Sequence, residues 1–267
     1  MRPGAALTIA VAAALAIGAG TARAARGDIV SQTSSNWAGY AVTSSATPTT
    51  FTSVSGSWTQ PTATCTAGSP AYSAFWVGLG GFSDGAQALE QTGTEVDCAV
   101  DGSATYSAWY ELVPAAPVKL KLAVQPGDSI SAGVSVSGRT VTVRVTDVTR
   151  RRAVTKKLKM TAPDLTSAEW IAEAPSACSN FGCRPLPLTN FGTISFTGAS
   201  ATGNGHTGAI GDAAWTATAV TLQGNAGSFF RGRFASASPV ADAVPAALSS
   251  DGSSFAVAWQ EQEGATR

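Results

Sequence analysis

The chain has 267 residues, with 17 Lys/Arg balanced by 17 Asp/Glu and a single histidine. That balance argues against nucleic acid as a partner, because phosphate binding needs a clear excess of cations. Only 13% of the residues are charged, while Ser, Thr, Ala and Gly abound, a composition suited to β-sheets whose outer faces carry hydroxyls.

At the N-terminal end Arg2 precedes an apolar run over residues 5–20, and Thr21-Ala22-Arg23-Ala24 offers small residues to a signal peptidase. The run is shorter than the roughly 20 residues a membrane-spanning helix needs. Residues 1–24 are therefore predicted to be a signal peptide, and residues 25–267 a single exported domain, monomeric and free of the membrane after cleavage. Without Arg2 and Arg23 the balance becomes 15 basic against 17 acidic residues.

Period-two alternation dominates the rest of the chain, and helical periodicity is nearly absent. It predicts strands over 36–42, 50–58, 73–79, 105–113, 129–137, 140–148, 153–160, 167–173, 193–197, 215–222 and 254–259. Turn signals separate them: Pro126-Gly127-Asp128, Ser137-Gly138-Arg139, Gly203-Asn204-Gly205 and Asp251-Gly252. Many short strands without a good helix indicate an all-β sandwich or barrel. Arg150-Arg151-Arg152, followed by Lys156, Lys157 and Lys159, forms a basic ribbon between two of them. Such charges discourage edge-to-edge aggregation; the sharper reading is a contact surface for an anionic polymer or cell envelope.

Four cysteines, Cys65, Cys98, Cys178 and Cys183, read as two disulfides in an exported chain. Three connectivities are open. Cys65–Cys98 with Cys178–Cys183 is favoured because the second pair closes a short loop containing Gly182. A metal site is not expected: no paired C-x-x-C occurs, and His206 lies far off in a Gly-rich stretch.

The residues also restrict the chemistry. Ser-His-Asp and Cys-His catalysis need an imidazole, and His206, in what reads as a mobile turn, is the one candidate. No G-x-S-x-G elbow and no Asp-Thr-Gly or Asp-Ser-Gly is present. An enzyme built on this chain would draw its acid and base from carboxylates on a β-sheet. Phe75-Trp76-Val77-Gly78-Leu79-Gly80-Gly81 with Leu89-Glu90-Gln91-Thr92-Gly93 is one segment that stands out. The other is Ala168-Glu169-Trp170-Ile171-Ala172-Glu173, where alternation puts Glu169, Ile171 and Glu173 on one strand face.

Five motifs in order resemble those of the glutamic peptidases, also called eqolisins or peptidase family G1. They are Ser35-Asn36-Trp37-Ala38-Gly39-Tyr40, Trp76-Val77-Gly78 with Gln91-Thr92-Gly93, Tyr106-Ser107-Ala108-Trp109-Tyr110-Glu111, Pro126-Gly127-Asp128, and Ala168 through Glu173. The resemblance implies a sandwich of two curved antiparallel sheets, of concanavalin-like or jelly-roll type, with the site on a concave face. It implies Gln91 and Glu173 as the catalytic pair: Glu173 as general base and Gln91 as oxyanion donor. Trp76 and Glu111 match cleft positions and are expected to bind or position substrate, while Glu169 rivals Glu173. The expected activity is a secreted endopeptidase acting on protein or peptide, at acidic pH, without cofactor. Gly80 stands where many members carry an acid, and Asp84 lies nearby. The alternative is a lectin-like sandwich binding carbohydrate or a cell-wall polymer; a third reading is a carbohydrate-active enzyme using Glu173 with Glu111 or Glu169.

Overall fold

The computed structural model describes residues 27, 29–83, 85–179, 182–224 and 241–261. The predicted signal peptide and Asp84 lie outside them. The N-terminal third holds β1 (Ile29–Ser34), β2 (Trp37–Ser44), β3 (Phe51–Thr59), β4 (Ala71–Leu79) and β5 (Leu89–Cys98). Next come β6 (Ala104–Val113), β7 (Val118–Lys119), β8 (Ser129–Ser137), β9 (Thr140–Asp147) and β10 (Arg152–Lys159). The rest are β11 (Ser167–Glu173), β12 (Ser176–Ser179), β13 (Gly182–Pro185), β14 (Thr193–Gly203), β15 (His206–Gly208), β16 (Trp215–Leu222), β17 (Ala241–Pro245) and β18 (Phe255–Glu261). Among the described residues, no helix is long and apolar enough to cross a membrane.

One hydrogen-bonded path runs β10-β9-β8-β3-β14-β18-β17-β16-β2-β11-β4-β5-β6-β7, with β1 added in parallel to β16 and β15 to β14. The ladder curls until β3 and β8 pack over β4, β5 and β11, so a single sheet supplies both layers of the sandwich. Val54, Trp58, Ile130 and Val143 from one layer meet Tyr40, Phe75, Val77 and Trp170 from the other. Two indoles fasten the layers: Trp58 Nε1 donates to Thr94 Oγ1 at 3.0 Å, and Trp170 Nε1 to the Ser55 carbonyl at 2.8 Å. A buried indole N–H needs such a partner.

All eleven predicted strands are present, with the 193–197 strand extended to Gly203. The predicted turns form as well: Gly138 and the Asn204-Gly205 pair adopt positive φ, as tight hairpins require. The alternation pattern leaves out Leu89–Cys98, which is a central strand. Its neighbours bury it on both faces, and its run of Glu, Gln, Thr, Asp and Gly shows no apolar alternation to detect. Both expected disulfides are formed, Cys65–Cys98 and Cys178–Cys183, and the described residues contain no free cysteine. The first ties β5 to the loop after β3; the second staples the β12–β13 hairpin.

Candidate active site

Directly opposed residues of an antiparallel pair share a sheet face. Across β11, β4, β5 and β6 this yields three rows on the face turned away from the sandwich core. Glu169, Gly78, Gln91 and Glu111 form one row; Ile171, Trp76, Gly93 and Trp109 the next; Glu173, Ala74, Glu95 and Ser107 the third. Gln91 and Glu173 thus lie two rows apart on one face, and Trp76 lies between them.

Glycines let this surface form. A Cβ on Gly78 would meet Trp76 Cζ3 at 2.8 Å and Gln91 Cβ at 3.3 Å, so the bare backbone lets the indole lie along the sheet from Glu173 toward Gln91. Gly39 has φ near +146°, and a Cβ there would fall 2.1 Å from the Trp170 carbonyl, which bars any side chain where β2 meets β11. Trp37 stands edge-on to Trp76, centroids 4.9 Å apart at 78°. Trp76, Trp109, Ile171, Ala74 and Leu89 make an apolar floor separate from the main core.

Glu173 is only partly exposed and both its oxygens are held. Trp76 Nε1 donates to Oε2 at 2.7 Å, and Asn36 Nδ2 donates to Oε1 at 3.1 Å. Asn36 is oriented in turn by Ser34, whose hydroxyl donates to Asn36 Oδ1 at 3.2 Å. Burial pushes the Glu173 carboxyl up; the Trp76 N–H opposes this, the Glu111 charge adds to it, and Trp37 and Asn36 oppose it, leaving it at about 7. Gln91 is buried; its Nε2 donates to Glu111 Oε2 at 2.7 Å, while its Oε1 has no partner. Glu111 is raised by burial, offset in part by the Gln91 amide. No hydrogen bond joins Gln91 to Glu173 directly among the described residues.

Glu169 shares the face but not the environment. It is fully buried, and neither oxygen has a partner of good geometry, although Ser167 lies close enough to favour the charged form. Burial, followed by the charges of Asp164 and Glu90, drives its carboxyl well above the usual range. Such a group is held neutral and is poorly suited to act as base.

At Gly80, φ is near +79° and a Cβ would fall 2.4 Å from Asp164 Cβ. The Asp164 carboxylate accepts the Gly81 N–H at 3.1 Å, so an acid reaches this turn from the strand-connecting segment before β11. His206 is not in a loose turn: it sits on β15 with Nε2 3.0 Å from Asp212 Oδ2. A depression of about 280 Å³ beside the Cys65–Cys98 disulfide has Glu261 as its one carboxylate; the carboxylate chemistry instead gathers on the β4–β5–β6–β11 face. Sequence reasoning gave Asn36 and Ser34 no role. The spacing Ser34-x-Asn36 at the entry to β2 was the available signal, but its meaning depends on β2 lying beside β11.

Residues 35–237 match the Peptidase A4 family, the glutamic peptidases or eqolisins. Aspergillopepsin-2 of Aspergillus niger is 30% identical over 203 residues, covering 67% of this chain and 68% of that protein. The crystal structure of scytalido-glutamic peptidase with a peptide-based transition state analog superposes with TM-score 0.66 at 24% identity, over 84% of this chain and 98% of that one. The crystal structure of aspergilloglutamic peptidase from Aspergillus niger gives TM-score 0.51 at 26% identity, over 71% and 99%.

Proposed function

Because the chain belongs to the Peptidase A4 family and is a hydrolase of the glutamic endopeptidase type, we propose that it cuts peptide bonds within proteins through Glu173 and Gln91. The observation that carries this is the hydrogen-bonded, partly exposed Glu173 carboxylate sharing one sheet face with the Gln91–Glu111 pair. In its ionised form Glu173 removes a proton from water as the water oxygen attacks the scissile carbonyl carbon. Gln91 Nε2 has two hydrogens; Glu111 holds one and the second is free for the oxyanion. Collapse of the tetrahedral intermediate breaks the C–N bond, and Glu173 returns its proton to the leaving amine. Glu111 orients the amide, the fully buried Trp76 orients the base, and the partly exposed Trp37 packed against it offers the wall on which substrate lies. No step requires a covalent intermediate.

Secretion belongs to the same proposal. Two disulfides in so small a chain suit an oxidising compartment, and residues 1–24 carry the features of an export signal.

The test is digestion of a denatured protein by purified variants. Glu173→Gln is expected to abolish turnover with near-UV circular dichroism unchanged, and Gln91→Ala to lower kcat by about 10²–10³, the worth of one oxyanion donor. Glu169→Gln should retain activity. Folded Glu173→Gln cutting at the parent rate would remove the assignment.

A further inference from the structure

Charge is unevenly distributed along this chain. The stretch 119–159 holds ten Lys/Arg against two acids, Asp128 and Asp147, although the whole chain is balanced. Both acids are buried and engage Arg150, and Lys119 pairs with Glu95. Lys121, Arg139, Arg144, Arg151, Arg152, Lys156, Lys157 and Lys159 form no ion pair among the described residues.

The fold sets these charges about the edge strand β10: Arg144, Lys157 and Lys159 share the outer face, whereas Arg152 and Lys156 oppose the buried Asp147 and Val143 and leave the edge strand on its other side. Continuous cross-strand rows run over β3, β8, β9 and β10: Ser53-Ser135-Thr142-Lys157, then Ser55-Gly133-Arg144-Thr155, then Ser57-Ser131-Thr146-Ala153. This face carries neither an acid nor an aromatic ring. It contains a shallow depression of about 380 Å³ around Arg144, Ser55, Ser131 and Thr155. Hydroxyls steady the cations: Arg144 donates to Thr155 Oγ1 at 3.1 Å, Lys159 to Thr140 Oγ1 at 2.6 Å, and Arg139 to Thr161 Oγ1 at 3.2 Å. Beyond the edge strand β10, Lys121, Arg150 and Arg152 surround a second depression of about 470 Å³. Protection of an exposed edge accounts for lysines on β10. It does not account for Arg144, which sits inward of that edge on β9, or for the exclusion of acids from this face.

We propose that the hydroxyl-lined β3–β8–β9–β10 face and its cationic edge dock an anionic polysaccharide, a glycan bearing sulfate, phosphate or uronate groups. Hydroxyl rows match sugar hydroxyls by hydrogen bonding, and the unpaired cations match the acid groups. Single-stranded nucleic acid would want stacking rings, a protein partner would want apolar or aromatic anchors, and a bilayer would want an apolar wedge; the face has none of these. The Glu173 face belongs to the opposite layer and points the other way, so a docked enzyme keeps its cleft open to substrate.

The experiment measures binding of the disulfide-bonded protein to immobilised dextran sulfate and to polygalacturonate over a range of NaCl concentrations. Log affinity should fall steeply with log salt, each engaged cation adding just under about one to the slope. Lys156→Gln/Lys157→Gln/Lys159→Gln combined with Arg139→Gln/Arg144→Gln should lower that slope by several and weaken binding by at least about 10²-fold. Arg184→Gln, on the β12–β13 hairpin, should bind as the parent does. Sulfate stays ionised at pH 2, where uronate is largely protonated, so retention of dextran sulfate alone at that pH identifies the acid group in use. Cleavage of a short soluble peptide reports that the five-site variant is folded and should be unchanged. A parent slope near zero overturns the proposal without reference to any variant. So does equal binding by the folded five-site variant, or stronger binding of DNA or anionic vesicles than of either glycan.

Discussion

Glu173 carries the most informative chemistry because its two hydrogen-bond donors and its burial act in opposite directions. Burial dominates and leaves the carboxyl at about 7. Glu173, the proposed base, must be ionised, so kcat/KM should fall about tenfold per unit as pH drops below that value, leaving roughly one enzyme in 10³ active at pH 4. An acid optimum, which the family resemblance implies, therefore requires bound substrate to bring the Glu173 carboxyl back down. Profiles of kcat/KM and kcat against pH separate the cases, since the first reports the free enzyme and the second the complex. Asn36→Ala removes a donor that favours the charged form. Its limb should move upward by on the order of one unit while kcat on the plateau changes little; an unmoved limb would show that Asn36 does not position the base. Trp76→Phe removes the shorter bond and should move the limb further in the same direction.

Strands β5 and β11 carry two buried carboxyls that the proposed mechanism does not use. Burial raises Glu90 to about 8 and Glu169 well above its ordinary value, and Glu90 Oε2 with both Glu169 oxygens lacks a partner. A carboxyl whose folded value is raised stabilises the fold fully below its unfolded value, near 4.3, and loses that contribution as pH climbs through the folded value. Thermal midpoints should therefore decline from about pH 5 toward pH 8, at up to about 1.4 kcal/mol per unit and group. Glu90→Gln and Glu169→Gln should flatten the decline; a parent midpoint independent of pH over that range would refute it. The same two strands show what the sequence could and could not disclose. β11 was legible because Trp170 and Ala172 alternate with Glu169, Ile171 and Glu173. β5 was not, because both its faces are covered and its polar residues find partners only in the folded sheet, as Thr92 does on the Trp109 carbonyl at 2.6 Å. Gln91 was reached through the family motif, not through a strand pattern. The Asn36–Glu173 contact joins residues 137 apart, a distance no local pattern encodes.

For the molecule as a whole, the two disulfides should differ in weight. Cys65–Cys98 closes a loop of 33 residues and Cys178–Cys183 one of 5, which in the chain-entropy account corresponds to about 3.7 and about 2 kcal/mol. Replacing Cys65 and Cys98 together by Ala should thus lower the urea midpoint more than replacing Cys178 and Cys183, with activity in the second variant close to that of the parent. Chelators, thiol reagents and serine-directed reagents should leave protein digestion intact, because the proposed steps use carboxylate, amide and water alone. Complete loss with a chelator would contradict them.

The neighbours of β2 also set a schedule. Residues 37–44 lie between β11 and β16, strands that leave the ribosome more than a hundred residues later. A nascent chain long enough to hold Trp76 and Gln91 still lacks Glu173, the proposed base. One that has just reached Glu173 still lacks the strand that closes over β2 and, through β1, places Ser34 and Asn36. Contacts of such sequence separation form slowly and late. Competence to hydrolyse peptide bonds is therefore among the last properties this chain acquires, after most of it has been synthesised, so the ribosome that makes it holds an inert polypeptide until β16 has emerged.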